Sequence, residues 1–586
     1  MMEKMINLTI DGQKLCVKEG TTILNAAKQA SINIPTLCYH EDLGIKANCR
    51  ICVVEVEGMK QLPTSCSTPV AEGMVVRTAS PKVLKARRNL LELIFARHPQ
   101  NCLVCAKNGE CDLQKLSQTL GLHNENRYEQ RLRSQPDDWS SPSIMRNPKL
   151  CILCGRCLEV CNEVQKVNVL SKENRGFHTL VAPAYGELLA DTNCINCGQC
   201  VQYCPTGALT VHYFTNKLLD EMGAGKKMII QVAPSVRITL AEALGEDPGT
   251  VSTGRLVTAL KRLGFYRVFD SDFSADLTIM EEGTELLHRL QAHASGKAAA
   301  DDAPLPMFTS CCPAWVKYLE TYEPKMTDHL STAKSPQQMF GAMIKTWYAE
   351  REGIDPGEIC SVSVMPCTAK KFECQRPELN DSGYQDVDIS ITVQELARMI
   401  RTGGIDFRHL EETEFDDPFG LGSAAGLIFG ATGGVMEAAL RTVYKVLTGK
   451  EMEDLNYEPV RGFEGVKEAA IDINGTEVRV AVAHGIANAQ KVVEKVKSGK
   501  SRWHFIEIMA CPGGCIGGGG NPPKTWAKMQ ERKKAIYEAA AALPEQQSHN
   551  NPAIAKVYET YFGEPCGELS HKLLHTHYYN RQDLLR

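Results

Sequence analysis

The chain has 586 residues, 43% of them hydrophobic, and a formal net charge of -5. That is enough apolar material for several packed domains and too little charge imbalance to argue for a nucleic acid or an anionic membrane surface as partner. No uninterrupted apolar run reaches the roughly 18 residues of a membrane span, so membrane insertion is not expected.

The 24 cysteines are concentrated in tight clusters, and the chain opens without the pattern of an export signal. Clustered Cys-x-x-Cys runs in a long chain of this kind read as metal ligands kept reduced in the cytoplasm, not as disulfides. A cytoplasmic iron-sulfur protein is the expectation.

Residues 1–80 form the first predicted domain. The alternation in Ile6-Asn-Leu-Thr-Ile10, the Asp11-Gly12 turn and Lys14-Leu-Cys-Val17 predict a hairpin. A helix follows, capped by Thr21 or Thr22, with Ile23, Leu24, Ala27 and Ala30 on its apolar face. Cys38, Cys49, Cys52 and Cys66 then supply four thiolates, a set that suits a 2Fe-2S cluster; four unrelated core thiols are the plainer alternative. Hairpin, helix and cysteines in this order resemble the plant-type ferredoxin (β-grasp) fold. The wide gap after Cys38 resembles the version in large hydrogenases and respiratory NADH dehydrogenase subunits.

In the second predicted domain, 81–145, an amphipathic helix with Leu84, Leu90, Leu91, Ile94 and Phe95 precedes His98, Cys102, Cys105 and Cys111. One His and three Cys also satisfy a closed zinc site, and a lone His near a helix end is ordinarily a solvated cap. The spacing is similar to the 4Fe-4S motif of the same hydrogenases and dehydrogenase subunits, which implies iron. The third domain, 146–213, carries an internal repeat: Cys151, Cys154, Cys157 and Cys161, then Cys194, Cys197, Cys200 and Cys204, the last followed by Pro205. This is the two-cluster ferredoxin pattern, in which the fourth Cys of each run ligates the other cluster. One 4Fe-4S site therefore takes Cys151, Cys154, Cys157 and Cys204, and the other takes Cys194, Cys197, Cys200 and Cys161.

Strands and helices alternate after Gly225, which predicts an α/β domain over 214–523. The fold class is thus multidomain α+β and α/β. The segments Gly420–Gly426 and Gly430–Gly434 lack a dinucleotide or phosphate-loop fingerprint and read as close-packing turns. Three cysteine motifs stand out: Thr309-Ser-Cys-Cys-Pro-Ala-Trp315, Met365-Pro-Cys-Thr-Ala-Lys370 and Glu507-Ile-Met-Ala-Cys-Pro-Gly-Gly-Cys515. With their surroundings they resemble the iron-iron hydrogenases over nearly the whole chain.

The resemblance implies a six-iron H-cluster: a 4Fe-4S cubane held by Cys312, Cys367, Cys511 and Cys515, with Cys515 bridging to a two-iron unit that carries carbon monoxide, cyanide and a bridging dithiolate. It implies that Lys370 pairs with one cyanide, that Ala233, Pro234 and Ser235 meet the other, and that Met365 and Met509 pack around the irons. It also implies a proton relay through Cys311, Glu282, Glu285 and Ser331. Read by themselves, Lys370 is a surface residue, the methionines are core fillers, and the two acids, three apart on one helix face, suit a solvated surface as well as a relay.

Reversible interconversion of protons plus electrons and hydrogen is the implied activity. Ferredoxin and flavin- and NAD(P)-binding subunits of a bifurcating complex are the implied partners. A stand-alone ferredoxin-dependent enzyme, a hydrogen sensor, a non-catalytic electron-transfer subunit and an iron-sulfur assembly factor are the alternatives, the last two disfavoured by Cys311, Lys370 and the three motifs. Cys16, Cys360, Cys374 and Cys566 read as ordinary buried thiols, and residues 292–303 as a flexible surface insertion. Gly520-Asn521-Pro522 departs from the family's Gln-Pro by a change expected to alter a hydrogen bond only. The tail, 524–586, resembles the family's small-subunit-like wrap, with its histidines at the surface or in packing.

Overall fold

A computed structural model of the chain describes all residues except 1–3, 123–126, 296–303, 453–454, 456, 474 and 583–586. Most of the segment expected to be a surface insertion therefore lies outside the described residues. The chain divides into two compact units: one of Met1–Glu163, Asn168–Thr192 and Tyr203–Thr210, the other of Val164–Val167, Asn193–Gln202 and Val211–Arg586.

The first unit opens with strands β1 (Met5–Ile10) and β2 (Gln13–Lys18), paired antiparallel. Asp11 and Gly12 sit at φ 47 and 84, the pair of left-handed conformations that lets a two-residue turn match strand twist. Helix α1 (Ile23–Gln29) follows, and Thr22 is the cap, its hydroxyl accepting from the Asn25 N–H. With β3 (Glu55–Val56) and β4 (Met74–Arg77) the sheet runs β2-β1-β4-β3, with β1 parallel to β4.

Helix α2 (Pro81–Phe95) is capped by Ser80 and buries Val83, Leu91 and Phe95. Leu84, expected on its apolar face, is exposed. Arg87 lies on the buried face, where its guanidinium donates to the carbonyls of Ile51 (3.1 Å) and Val53 (2.8 Å). It thereby ties α2 to the loop that carries Cys49 and Cys52. A shorter helix, α3 (Asp112–Thr119), begins directly after Cys111. Cys16 is exposed on β2, contrary to the expectation of a buried thiol, because its side chain points away from the face that Val17 buries. Cys360 and Cys374 are buried as expected.

The second unit is built on two four-stranded sheets from β5 (Lys227–Val232), β6 (Arg267–Asp270), β7 (Met307–Phe308), β8 (Ile359–Met365), β9 (Ile389–Thr392), β10 (Val466–Ile473), β11 (Thr476–His484) and β12 (Phe505–Met509). One sheet has the order β6-β5-β8-β9 and is entirely parallel. The other has the order β7-β12-β11-β10 and is parallel except for its β10–β11 edge. Parallel strands buried on both faces read as continuous apolar runs, and every residue of β8 and β12 is buried.

From β5 the chain passes to β6 on one side and later to β8 on the other, so the sheet has a topological switch between β5 and β8. Ligands bind at such a point, beyond the carboxyl ends of the strands. Ala233-Pro234-Ser235 leaves the end of β5 and Pro366-Cys367 the end of β8. The motifs at 309–312 and 510–515 leave the ends of β7 and β12 in the same way.

The long helix α4 (Asp272–Ala294), rooted after β6, is buried along much of its length, Glu281 and Glu282 included. Helix α5 (Pro313–Tyr322) starts directly at Cys312. Gly433 and Gly434 open helix α6 (Gly434–Thr448), and a Cβ on them would lie 2.1 Å from the Val460 carbonyl and 1.9 Å from that of Ile428. These are close-packing turns, as their lack of a phosphate-loop pattern suggested. The buried Glu507 carboxylate accepts from the N–H groups of Gly433 (2.7 Å) and Met436 (2.8 Å), satisfying donors that a helix start leaves open.

Candidate active site

The four strand-end segments enclose a cavity of ≈ 90 Å³. Cys312, Cys367, Cys511 and Cys515 line it, together with Cys311, Lys370, Ala233, Pro234, Ser235, Met365 and Met509. Every cubane ligand and every pocket residue expected from the sequence is thus in one place. Burial and the neighbouring thiols Cys511, Cys312 and Cys515 push the Cys367 thiol well above its ordinary range. Crowding of this kind is costly for bare thiolates and is relieved when a metal cation displaces the protons and neutralises the charge. The Ala510 N–H already points at Cys312 Sγ from 3.4 Å, the contact that tunes a cluster sulfur. Ser235 Oγ is buried, lines the cavity and has no hydrogen-bond partner in the protein, a donor left for a bound group. Donor set and pocket fit an H-cluster.

Lys370 is buried, and its ammonium donates to the Cys311 carbonyl (3.2 Å) and to Glu373 Oε2 (2.9 Å). Burial alone pulls its pKa down, but Glu373 outweighs that and leaves it raised. The lysine is held as a cation at the cavity wall, where an anionic ligand gains most from it. Glu373 is fixed in turn by Ser335 Oγ (2.9 Å) and Gln337 Nε2 (2.9 Å). Sequence reasoning missed both Glu373 and Gln337. Glu373, three residues after Lys370 on one helix, had the i,i+3 spacing of an ion pair, whereas Gln337 and the lining Phe429 carried no local signal.

A line of groups leads away from Cys311. Burial, and after it the neighbouring Glu282, keep its thiol far above the ordinary range, so it holds a proton. Glu282 is fully buried; burial first, and Glu285 second, raise its pKa to about 8. One oxygen accepts from the Ser310 N–H at 3.3 Å, while Oε2 has no partner at hydrogen-bonding geometry. Ser331 lies close enough to Glu282 to draw that pKa back down, and its hydroxyl donates to Glu285 Oε2 at 2.7 Å. Glu285 ends the line in an ion pair with Arg289 at 2.6 Å. The acids are therefore not a solvated face. A carboxyl that titrates near neutral pH between a thiol and a hydroxyl can both take and give a proton.

Asn521 donates to the carbonyls of Cys515 (2.9 Å) and Ile516 (3.1 Å) and accepts from Thr239 (3.0 Å). Its change from the family's residue keeps the loop after Cys515 in place. In the same unit, Cys197 is raised by burial and by Cys200, Cys511 and Cys194. Gly198 and Gly519 pack backbone to backbone, since a Cβ on Gly519 would meet the Cys197 carbonyl at 2.6 Å. Cys197 of the second ferredoxin run thus lies against the catalytic loop, with Cys194 and Cys200 as its neighbours. Cys161 belongs to the first unit.

Within the first unit, Cys151, Cys154, Cys157 and Cys204 line one cavity, the combination expected from the interleaved repeat. Hydrogen bonds from Cys49 and Cys66 bring Cys38 and Cys52 down to about 6, and all four thiols perturb one another. His98 is buried, with its pKa lowered to about 4 by burial and Arg133, and its Nδ1 has no partner. A buried, neutral imidazole is not a solvated cap, and the open Nδ1 leaves a nitrogen able to ligate a metal. Cys102 and Cys105 are half-buried nearby in sequence, and Cys111 occupies the cap position of α3.

Family models match along the chain: a 2Fe-2S iron-sulfur cluster binding domain at residues 3–81, an NADH-ubiquinone oxidoreductase-G iron-sulfur binding region at 87–126 and a 4Fe-4S dicluster domain at 150–208. The C-terminal domain of the iron only hydrogenase large subunit matches 226–519, and the iron hydrogenase small subunit 527–581. The NADP-reducing hydrogenase subunit HndD of Solidesulfovibrio fructosivorans is 50% identical, over 99% of this chain and 100% of that one. Iron hydrogenase 1 of Clostridium pasteurianum is 38% identical, over 98% and 100%. A solved apo iron-iron hydrogenase from Chlamydomonas reinhardtii superposes with a TM-score of 0.56 at 42% identity, covering 62% of this chain and 98% of its own.

The chain belongs to the iron-only, or iron-iron, hydrogenases, oxidoreductases that act on hydrogen. It combines 2Fe-2S and 4Fe-4S binding domains with the family's H-cluster-bearing catalytic domain. Among the described residues no helix is long and apolar enough to cross a membrane.

Proposed function

We propose that this chain is the hydrogen-converting subunit of an NAD(P)-linked, electron-bifurcating complex that also exchanges electrons with ferredoxin. The observation that carries the hydrogenase chemistry is the convergence of four thiols, Cys311 and a buried Lys370 on one cavity, from which Glu282, Ser331 and Glu285 lead away. End-to-end similarity to a subunit of an NADP-reducing hydrogenase supports the complex. The cytoplasm, where clustered thiolates stay reduced, fits such a complex.

Cys312, Cys367, Cys511 and Cys515 would hold the cubane, and Cys515 would also face the two-iron unit. Bound there, the H-cluster supplies the site at which two protons and two electrons become hydrogen. Cys311 holds the proton nearest the cavity. Protonated Glu282 gives its proton to the emptied Cys311 and then takes the Ser331 hydroxyl proton. Ser331 takes one from Glu285, which first picks it up from solvent because it rests as the ion-pair partner of Arg289; in hydrogen oxidation the same groups pass protons outward. Lys370, Met365, Met509, Ala233, Pro234 and Ser235 shape and dry the pocket.

Electrons would arrive through the 4Fe-4S site that includes Cys194, Cys197 and Cys200. Upstream of it lie the site of Cys151, Cys154, Cys157 and Cys204, that of His98, Cys102, Cys105 and Cys111, and the 2Fe-2S site of Cys38, Cys49, Cys52 and Cys66. Domain limits near 80, 145, 213 and 523 separate these modules from the catalytic domain and its tail. The test is hydrogen evolution from a reduced dye by the matured protein, with affinity purification from its native host. Activity together with a copurifying flavoprotein supports the proposal. An inactive protein with all iron verified overturns the chemistry, and an active monomer that ignores NAD(P)H overturns the complex.

A further inference from the structure

Beside the outer part of the relay, Glu281, Cys566 and His575 bring a carboxylate oxygen, a thiol and an imidazole nitrogen within 4.8 Å of one another. Glu281 comes from the middle of α4, while Cys566 and His575 flank helix α7 (Glu568–Leu574) of the tail. We propose that these three side chains form a binding site for a soft divalent cation of the Zn²⁺ class, distinct from the cluster sites.

The donors converge. His575 Nε2 lies 3.1 Å from Glu281 Oε2 and 4.0 Å from Cys566 Sγ. Tetrahedral zinc with ordinary bond lengths sets such ligand atoms about 3.4–3.6 Å apart, so the carboxylate and imidazole must part by a few tenths of an ångström and the thiol, within 4.8 Å of both, must close in on them. The outward-facing atoms are each held by another group. Tyr558 donates to Glu281 Oε1, and Thr332 Oγ1 meets His575 Nδ1 at 2.7 Å. These are the outer contacts that orient metal ligands and fix which imidazole nitrogen faces the ion.

The backbone around His575 is clamped as well, since Lys334 N–H donates to the Leu574 carbonyl (2.7 Å) and Thr576 N–H to that of Thr332 (2.8 Å). Glu281 and His575 are buried, whereas Cys566 is half-exposed, which leaves a way in from the surface. Cys566 also sits at φ 54, a conformation that suits glycine and is unusual for a cysteine. Binding would release the thiol proton to solvent, leave a thiolate on the ion and move the imidazole proton to Nδ1, where Thr332 accepts it. Water completes the fourth position. Because the Thr332 N–H also holds Glu285 at 3.0 Å, the ion would tie the tail to the relay.

The test loads the matured enzyme anaerobically with one equivalent of Zn²⁺, removes free metal by gel filtration and measures zinc, iron and the zinc X-ray absorption fine structure. One retained zinc per chain, with a single sulfur among nitrogen and oxygen ligands and unchanged iron, is expected. Cys566→Gly, which relieves the backbone rather than straining it, should retain none. Thr332→Val, which keeps all three ligands, should bind 10–100-fold more weakly. No retained zinc, equal retention in both variants, or a shell dominated by sulfur would overturn the assignment.

Discussion

Replacing Glu282 by Gln tests whether this buried acid moves protons. The amide keeps the shape and can still accept from the Ser310 N–H, which lies 3.3 Å from the carboxylate, but it cannot exchange a proton with Cys311 or Ser331. Losing a positioned acid–base group costs about 10²–10⁴ in rate, so dye-driven hydrogen evolution should fall by that factor while the iron-sulfur spectra are unchanged.

The shift in the Glu282 pKa from 4.5 to about 8, at ~1.4 kcal/mol per unit, favours the neutral form by about 5 kcal/mol. The folded chain therefore holds more protons than the unfolded chain between pH 4.5 and about 8. The stabilising contribution of this carboxyl is complete below 4.5 and is lost as the pH rises through about 8. Infrared difference spectra should show a protonated-carboxyl band that disappears as the pH passes about 8 and is absent from Glu282→Gln. Full turnover by the variant, or a band that persists only below the ordinary carboxylate range, would mean that Glu282 does not carry the proton.

Glu373→Gln removes the counter-charge of Lys370, which sits 2.9 Å away. Turnover should drop at least tenfold and the infrared bands of the H-cluster's cyanide ligands should move; unmoved bands would mean that the ammonium's placement does not matter. Gly198→Ala puts a Cβ 2.3 Å from Thr368 Oγ1 at a residue with φ +65. It should cost about 1–3 kcal/mol, read as a lower unfolding temperature, and slow electron delivery to the catalytic loop in a flash-reduction measurement. Cys16→Ser should shift stability by no more than about 0.5 kcal/mol, as expected for an isolated surface group, and should remove a thiol that is alkylated rapidly in the native protein.

Several features of this chain are local, and its sequence alone determined them. Cysteine spacing announces cluster ligands because a short loop must wrap a metal centre, and Asp11-Gly12 announces a turn because few residues adopt its dihedrals. Helix α2 shows where such reading stops. Its periodicity located the helix, yet Leu84 is exposed and the polar Arg87 is buried, because hydrogen bonds to Ile51 and Val53 compensate the burial of the guanidinium.

Tertiary structure decided what the spacing left open. Read alone, Glu282 and Glu285 favoured a solvated face; only the fold buried Glu282 beside Glu285 and made it a near-neutral acid, with Ser310 and Ser331 as its hydrogen-bonding neighbours. Gln337 and Glu373 became part of the Lys370 anchor because segments distant in sequence meet at the strand ends. Cys566 was an unremarkable thiol until the tail brought it to Glu281 and His575. Candidate ligands reside in short motifs, which the sequence displays directly. Protonation, orientation and partnership depend on desolvation and on neighbours supplied by remote segments, and those exist only once the chain has folded.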